Sequence, residues 1–152
     1  SLDKVKAYKH FANKLWNIAR FVLMSVPEGH EMTKTKLTTE DEKIISDLKT
    51  FVKGITEHMD NYRLYLAADE IYHYIWHTFA DKVIEESKPK LASEDRAVKE
   101  SAQRMLLEVL ATSLKLLHPF MPFVTEEIWS KLPLSEKKLL MVEDWPRTTT
   151  NT

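Results

Sequence analysis

Apolar residues recur at helical spacing through four long stretches of this chain, and this periodicity most constrains its fold. The stretches are residues 4–27, 38–60, 64–88 and 93–117, and a shorter one follows at 123–132. Strand-like alternation is nearly absent. The pattern predicts an all-α fold: an antiparallel bundle of four long helices, a shorter fifth helix and an extended C-terminal tail at 139–145. We expect one domain over residues 1–146 and a disordered tail at 147–152.

Helix boundaries are predicted from capping residues and prolines. Thr38 or Thr39, followed three residues later by an acid, is typical of a capping box at the start of the second helix. Lys88 and Pro89 are expected to end the third helix, and Ser93 to cap the fourth. Between the first two helices, residues 28–38 have no apolar period and are predicted to form an exposed loop carrying Lys34 and Lys36.

The first stretch contains no Asp or Glu, although the whole chain has 23 acidic and 22 basic residues. Its predicted apolar side comprises Val5, Tyr8, Ala12, Leu15, Ala19, Val22 and Leu23. The opposite side comprises Lys6, Lys9, His10, Asn13, Asn17 and Arg20, with Trp16 and Phe21 at its margins. A merely solvated helix face usually mixes the two signs of charge. Cations and amides without acids suit phosphates and base edges, so this face is a candidate nucleic-acid surface.

Composition excludes several classes of function. Two glycines are too few for a Gly-rich phosphate loop, and a chain without cysteine has no disulfide, thiol nucleophile or cysteine zinc site. No apolar run is long enough to cross a bilayer, so we expect a soluble cytoplasmic protein that does not bind membranes.

Glu70 and His73 form the best candidate for a metal site, because a Glu-x-x-His pair occurs in carboxylate-bridged di-iron bundles. Such a site needs a second Glu-x-x-His pair, and this chain has no other. No serine or threonine shows a recognisable arrangement with histidine and acid. The sequence therefore predicts no catalytic residue, no metal and no cofactor in this chain.

Three ordered motifs resemble one known family. The segment KHFANKLWNIARFVL at residues 9–23 resembles the first helix of the anticodon-binding bundle in class I aminoacyl-tRNA synthetases, the valyl type above all. Residues 66–89 resemble the third helix of that bundle. The segment LHPFMPF at 117–123, followed by EEIW at 126–129, is similar to a signature shared by the valyl, leucyl and isoleucyl enzymes. One departure lies in the second helix, which lacks a Trp-Ile pair expected near residues 42–45.

The resemblance implies a domain that binds the anticodon stem-loop of a tRNA, valine tRNA above all, and that positions it without catalysing a reaction. The segments for ATP and adenylate chemistry are absent, so the resemblance implies a part of a longer ligase whose catalytic domain uses ATP and magnesium. The domain's partners would be the tRNA and that catalytic domain, and we expect a monomer. An alternative is a protein-interaction bundle that docks a partner through its first helix. The predicted tRNA-binding residues are Lys6, Lys9, Asn13, Lys14, Asn17, Arg20 and Phe21.

Overall fold

The computed structural model describes residues 2–27, 34–134 and 137–146, which form helices and connecting segments with no strand among them. The elements are α1 (Leu2–Ser25), α2 (Thr39–Asp60), α3 (Leu64–His73), a π-helical segment (Tyr74–Ile84), α4 (Glu85–Leu91), α5 (Arg96–Leu117), α6 (Pro122–Ser130) and a 3-10 turn (Leu140–Val142). The all-α bundle is confirmed. The predicted tail at 147–152 and residues 28–33 of the predicted loop lie outside the described residues. No helix within the described ranges is both long and apolar enough for a bilayer span.

Helix α5 lies at the centre of the bundle and contacts α1, α2, α4 and α6. It is the most buried helix because apolar residues occupy several of its sides, not a single stripe. Each buried leucine contributes about 1.5–3 kcal/mol relative to an exposed one. The buried residues of α5 include Ala102, Met105, Leu106, Val109, Leu110, Leu114 and Leu117.

Helix α1 runs parallel to the continuous helix formed by α3, the π-helical segment and α4. The Phe11 ring lies 4.9 Å from the Tyr72 ring, and farther along both helices Lys88 Nζ lies 5.9 Å from the Phe21 ring. Since the short connections at 61–63 and 92–95 reverse the chain, α2 and α5 run the opposite way. The bundle is therefore antiparallel between neighbours in sequence and parallel between α1 and α3.

The sequence-based boundaries needed two corrections. The third helix continues past Pro89 to Leu91, because a proline removes only one helical hydrogen bond and little of the last turn remains to be disrupted. Asp95, not Ser93, caps α5 and accepts a hydrogen bond from the Ala97 amide at 3.0 Å. The Ser93 hydroxyl instead accepts from the Asp95 amide at 3.1 Å, which is a local turn that precedes the helix.

The apolar side of α1 also differs from the prediction. Phe11 and Ile18 are buried, whereas Val5 and Tyr8 are about half exposed, at 51% and 48%. The buried sector is rotated toward Phe11 because the aromatic residues of α3 pack against that ring. The first two turns of α1 extend beyond the part of the helix that the bundle covers.

A buried polar network joins the start of α2 to α4 and α5. The Asp41 amide donates to Thr38 Oγ1 at 3.3 Å, as a capping box requires. The Asp41 carboxylate does not return to the Thr38 amide, but accepts from Lys90 Nζ at 2.9 Å and from the Ser101 hydroxyl. The Thr38 amide donates to Ser101 Oγ at 2.8 Å instead. Asp41 is fully buried, so these donors replace the water that it loses.

The C-terminal segment packs against the bundle, but a 3-10 turn at Leu140–Val142 interrupts the extended tail that was predicted for 139–145. Leu140 is buried, and its amide donates to Glu126 Oε2 at 2.6 Å. Trp145 Nε1 donates to Thr56 Oγ1 at 2.8 Å, which ties the end of the described chain to α2.

Tyr62, at the corner between α2 and α3, adopts a left-handed backbone conformation with φ of 58°. For a residue with a Cβ this conformation costs about 1–2 kcal/mol, and glycine avoids the cost. Because the Tyr62 side chain is 89% exposed, Tyr62→Gly loses almost no packing. We expect this variant to raise the free energy of unfolding by about 0.5–1 kcal/mol in urea denaturation, after the larger entropy loss of glycine. Tyr65→Ala, at a similarly exposed position, is the control. Equal free energies of unfolding for the two variants would contradict backbone strain at Tyr62.

Candidate nucleic-acid interface

The exposed face of α1 is built by helical periodicity alone. Phe11, Leu15 and Val22 turn toward α5 and the third helix, so residues about half a turn away face solvent. Five of the seven predicted tRNA-binding residues lie on this face and are exposed: Lys6, Lys9, Asn13, Asn17 and Arg20.

The cations of this face are available to a ligand. In the parts of the chain that the structure describes, no carboxylate lies within 4.0 Å of Lys6, Lys9 or Arg20. Arg20 Nη1 donates to Asn17 Oδ1 at 3.3 Å, which holds the guanidinium beside the amide. No other described residue accepts a hydrogen bond from this guanidinium. A phosphate could replace solvent here without first breaking an ion pair.

The other two predicted residues lie on the flank of α1 that faces the third helix. Lys14 Nζ is 3.9 Å from Asp81 Oδ1 and 5.2 Å from the Trp76 ring centre, so its charge is partly neutralised. Phe21 is half-buried beneath Lys88. The structure therefore separates Lys14 and Phe21 from the exposed face and places them beside the π-helical segment.

A cluster of rings lines the same flank, and the sequence reasoning did not identify it as a site. Tyr72 lies 5.7 Å from Trp76, and the stacked rings of His73 and His77 are 5.5 Å apart. We call these four residues the ring cluster. Their spacing of four residues places Tyr72 with Trp76, and His73 with His77, on one side of a helix. The sequence does not show that Phe11 of α1 packs against Tyr72 and so places the cluster against α1, where Lys14 contacts the Trp76 ring.

The ring cluster begins where the helix changes from α to π geometry. The π-helical segment runs over Tyr74–Ile84, which is long for this conformation, since most π-helices are single-turn bulges. π-helical turns occur frequently at functional sites. Two residues of this segment, Trp76 and Asp81, contact α1 through Phe11 and Lys14.

The candidate metal pair is not assembled. Glu70 Oε1 contacts His58 Nε2 of α2 at 3.0 Å, whereas His73 Nε2 is paired with Asp69 Oδ1 at 3.5 Å. Within the described ranges, no three metal-ligating side chains converge.

A cavity of about 450 Å³ lies between α2 and the π-helical segment. Its lining is mixed in charge, with three acids (Glu40, Asp47, Glu86) and three lysines (Lys43, Lys82, Lys90). Burial, and secondarily the charge of Asp47, raises the pKa of the Tyr74 hydroxyl at its edge, so this group stays neutral. The balanced lining gives no preference for an anion, unlike the exposed face of α1.

Comparison with known proteins identifies the family. A family model described as the anticodon-binding domain of tRNA ligase matches residues 41–152. The chain belongs to this family. The predicted resemblance is confirmed, and the match favours the anticodon-binding interpretation over the protein-interaction alternative.

Three relatives of this anticodon-binding domain are named valine–tRNA ligase. The chain is 44% identical to that of Thermotoga maritima over 140 residues (92% of this chain, 16% of the relative) and 41% identical to that of Carboxydothermus hydrogenoformans over 149 residues (95% and 16%). It is 39% identical to that of Bacillus cereus over 150 residues (96% and 17%), so α1 is included although the family model does not cover it. The chain spans about a sixth of the length of these relatives.

Proposed function

We propose that this domain binds the anticodon stem-loop of valine tRNA and positions it within a longer valine–tRNA ligase. The observation that carries the proposal is the exposed cationic face of α1, where Lys6, Lys9 and Arg20 have no carboxylate within 4.0 Å among the described residues and two amides lie beside them. The one acid of this helix, Asp3, lies in its first turn. The names of the relatives support the choice of valine. In this proposal ATP and magnesium are bound by the catalytic domain of the longer protein, which acts in the cytoplasm as a monomer.

In this proposal the cations of α1 bind phosphates and its amides bind bases. Lys6, Lys9 and Arg20 neutralise phosphates of the loop, a contribution that fixes position and depends on salt. Asn13 and Asn17 each offer a donor pair and an acceptor, which suits the edges of unpaired bases.

The flank of α1 supplies stacking. Lys14 Nζ lies over the Trp76 ring and Lys88 Nζ over the Phe21 ring. A splayed base can stack on either ring by displacing the lysine that covers it. Lys36, which is exposed, and Lys34 add phosphate contacts from the segment before α2. The seven predicted residues thus keep their proposed role, with Lys14 and Phe21 acting from the flank.

Titration of a fluorescent valine anticodon stem-loop with the 152-residue chain tests this function. We expect Asn17→Ala to weaken binding about 3- to 10-fold and Arg20→Ala about 10-fold, because each removes a hydrogen bond to a base or a phosphate. Lys49→Ala, which removes an exposed cation from α2, is the matched control and is expected to leave the affinity unchanged.

A stem-loop carrying a different anticodon gives the second comparison. The valine stem-loop is expected to bind more tightly than this competitor, and its affinity to fall as salt rises. Wild-type affinity in both Asn17→Ala and Arg20→Ala would refute the assignment of this face. Salt-independent binding of a protein partner through α1 would support the interaction bundle instead.

A further inference from the structure

Two acids and two histidines form a column along the exposed side of the third helix, at a spacing of four residues: Asp69, His73, His77 and Asp81. Residues four apart on a helix are neighbours on its surface. The ring centres of His73 and His77 are 5.5 Å apart, and the ring planes differ by only 20°. Their side chains are 55% and 59% exposed, so an ion can reach both rings from solvent.

Each histidine of this column has one ring nitrogen beside a carboxylate. His73 Nε2 lies 3.5 Å from Asp69 Oδ1, and His77 Nδ1 lies 3.5 Å from Asp81 Oδ2. Among the described residues, no group forms a hydrogen bond with the other nitrogens, His73 Nδ1 and His77 Nε2. Histidines that bind metal ions in proteins show this arrangement, in which a carboxylate holds one ring nitrogen and the other nitrogen binds the ion.

The charges around the two rings favour a cation over a phosphate. In the described part of the chain, no lysine or arginine lies within 4.0 Å of Asp69. Lys14 Nζ lies 3.9 Å from Asp81 Oδ1 and so neutralises part of the charge of that carboxylate alone. Two carboxylates at the ends of the column attract a divalent cation and repel the anionic backbone of an RNA. The column therefore suits a ligand of the opposite charge to the one that suits the exposed face of α1.

We propose that His73 and His77 chelate a divalent transition-metal ion, zinc in the first place. Imidazole nitrogen is a ligand that zinc, copper and nickel favour, whereas magnesium and calcium prefer oxygen. Zinc binds imidazole nitrogens at about 2.0–2.1 Å, which sets two of them about 3.3 Å apart in a tetrahedral site. The two rings reach this separation by turning about χ2, which is a broad torsion in histidine. Because both side chains face solvent, water supplies the remaining ligands.

This site differs from the Glu70–His73 candidate, which needs ligands from facing helices. Both ligands of the proposed chelate lie on one helix, so the fold of that helix alone brings them together. The inference goes beyond the proposed function and does not depend on tRNA binding.

Isothermal titration calorimetry of the 152-residue chain with zinc chloride tests the site. We expect wild type to bind one zinc ion per chain. His73→Ala and His77→Ala are each expected to weaken binding at least about 10-fold, because a single imidazole loses the advantage of two linked ligands. His10→Ala, which removes an exposed histidine from α1, is the matched control and is expected to leave the affinity unchanged.

Urea denaturation gives a second measurement. The two imidazoles are held close together only in the folded helix, so zinc is expected to raise the urea midpoint of wild type more than that of His77→Ala. Since His73 and His77 are more than half exposed, both alanine variants are expected to fold, and circular dichroism checks this.

Three results would overturn the proposal. The first is the absence of saturable zinc binding by wild type, and the second is wild-type affinity in either His73→Ala or His77→Ala. The third is a larger loss of affinity in His58→Ala than in these two variants, which would place the ion at the contact between His58 and Glu70. Stem-loop titration without zinc tests the proposed function separately, so the two proposals can fail independently.

Discussion

Lys90→Met is expected to lower the free energy of unfolding by about 3–5 kcal/mol, because it leaves a buried carboxylate without its charged partner. Asp41 is fully buried, and Lys90 Nζ lies 2.9 Å from its Oδ1 atom. The Ser101 hydroxyl still donates to this carboxylate, but a neutral donor does not balance its charge. Urea denaturation followed by circular dichroism measures the loss.

Lys43→Met is the matched control, since Lys43 Nζ also lies 2.9 Å from a carboxylate oxygen, that of Asp47. Both partners of that pair are mostly exposed, so its removal is expected to change stability by less than about 0.5 kcal/mol. Asp41→Asn added to Lys90→Met removes the buried charge and is expected to recover at least about half of the loss. If Lys90→Met and Lys43→Met lowered the free energy of unfolding by similar amounts, burial of Asp41 would not explain the effect.

The contribution of the Lys90–Asp41 pair to stability is expected to fall at high pH. Burial lowers the pKa of Lys90, but the hydrogen bonds and charges of Asp41 and Glu40 outweigh burial and raise this pKa above its usual value of 10.5. The contribution of the protonated lysine is therefore complete below pH 10.5 and is lost as pH rises through the raised pKa. The difference in free energy of unfolding between wild type and Lys90→Met is expected to stay constant around neutral pH. It is expected to narrow only when the pH rises through the raised pKa of Lys90.

Periodicity predicted the helices because burial of one side is a local property of the sequence. It could not predict how the helices are rotated or how far each is covered. Phe11 is buried because Tyr72 and Trp76, more than 60 positions away, pack against its ring. Tyr8 is half exposed because the bundle does not cover the first two turns of α1. The cap of α5 was misplaced by two residues for a related reason, since Ser93 and Asp95 both favour helix starts and only the backbone path decides between them.

The sequence likewise predicted the part of the candidate site that lies on one helix, and not the part that depends on how helices pack. Its exposed residues follow from the helix that carries them, so Asn13, Asn17 and Arg20 were found from α1 alone. The flank depends on the parallel alignment of α1 with the π-helical segment, which sets the contact of Lys14 with Asp81 and Trp76. A helical pattern in the sequence does not distinguish α from π winding over residues 74–84. The position of the ring cluster could therefore not be predicted from the sequence.

Simultaneous replacement of Lys6, Lys9 and Arg20 by alanine is expected to reduce the affinity for the valine stem-loop at least about 50-fold at about 0.15 M salt. Each phosphate contact to a single-stranded loop contributes about 0.7 to the salt slope, equivalent to a factor of about 4 at this salt relative to 1 M. The factors for the three contacts multiply, because their free energies add. The slope of the logarithm of affinity against the logarithm of salt concentration is expected to become shallower by about 2, measured by titration at several salt concentrations.

The control removes three cations elsewhere, at Lys49, Lys53 and Lys82, which are exposed on α2 and the π-helical segment. Both triple variants change the net charge by the same amount, so long-range attraction falls similarly in each. Only the α1 variant loses contacts, and only it is expected to flatten the salt slope. Equal slopes would mean that the tRNA senses the overall charge of the bundle and not the face of α1. A flatter slope for the α1 variant, with the stability of both variants unchanged in urea, would place the phosphates against Lys6, Lys9 and Arg20.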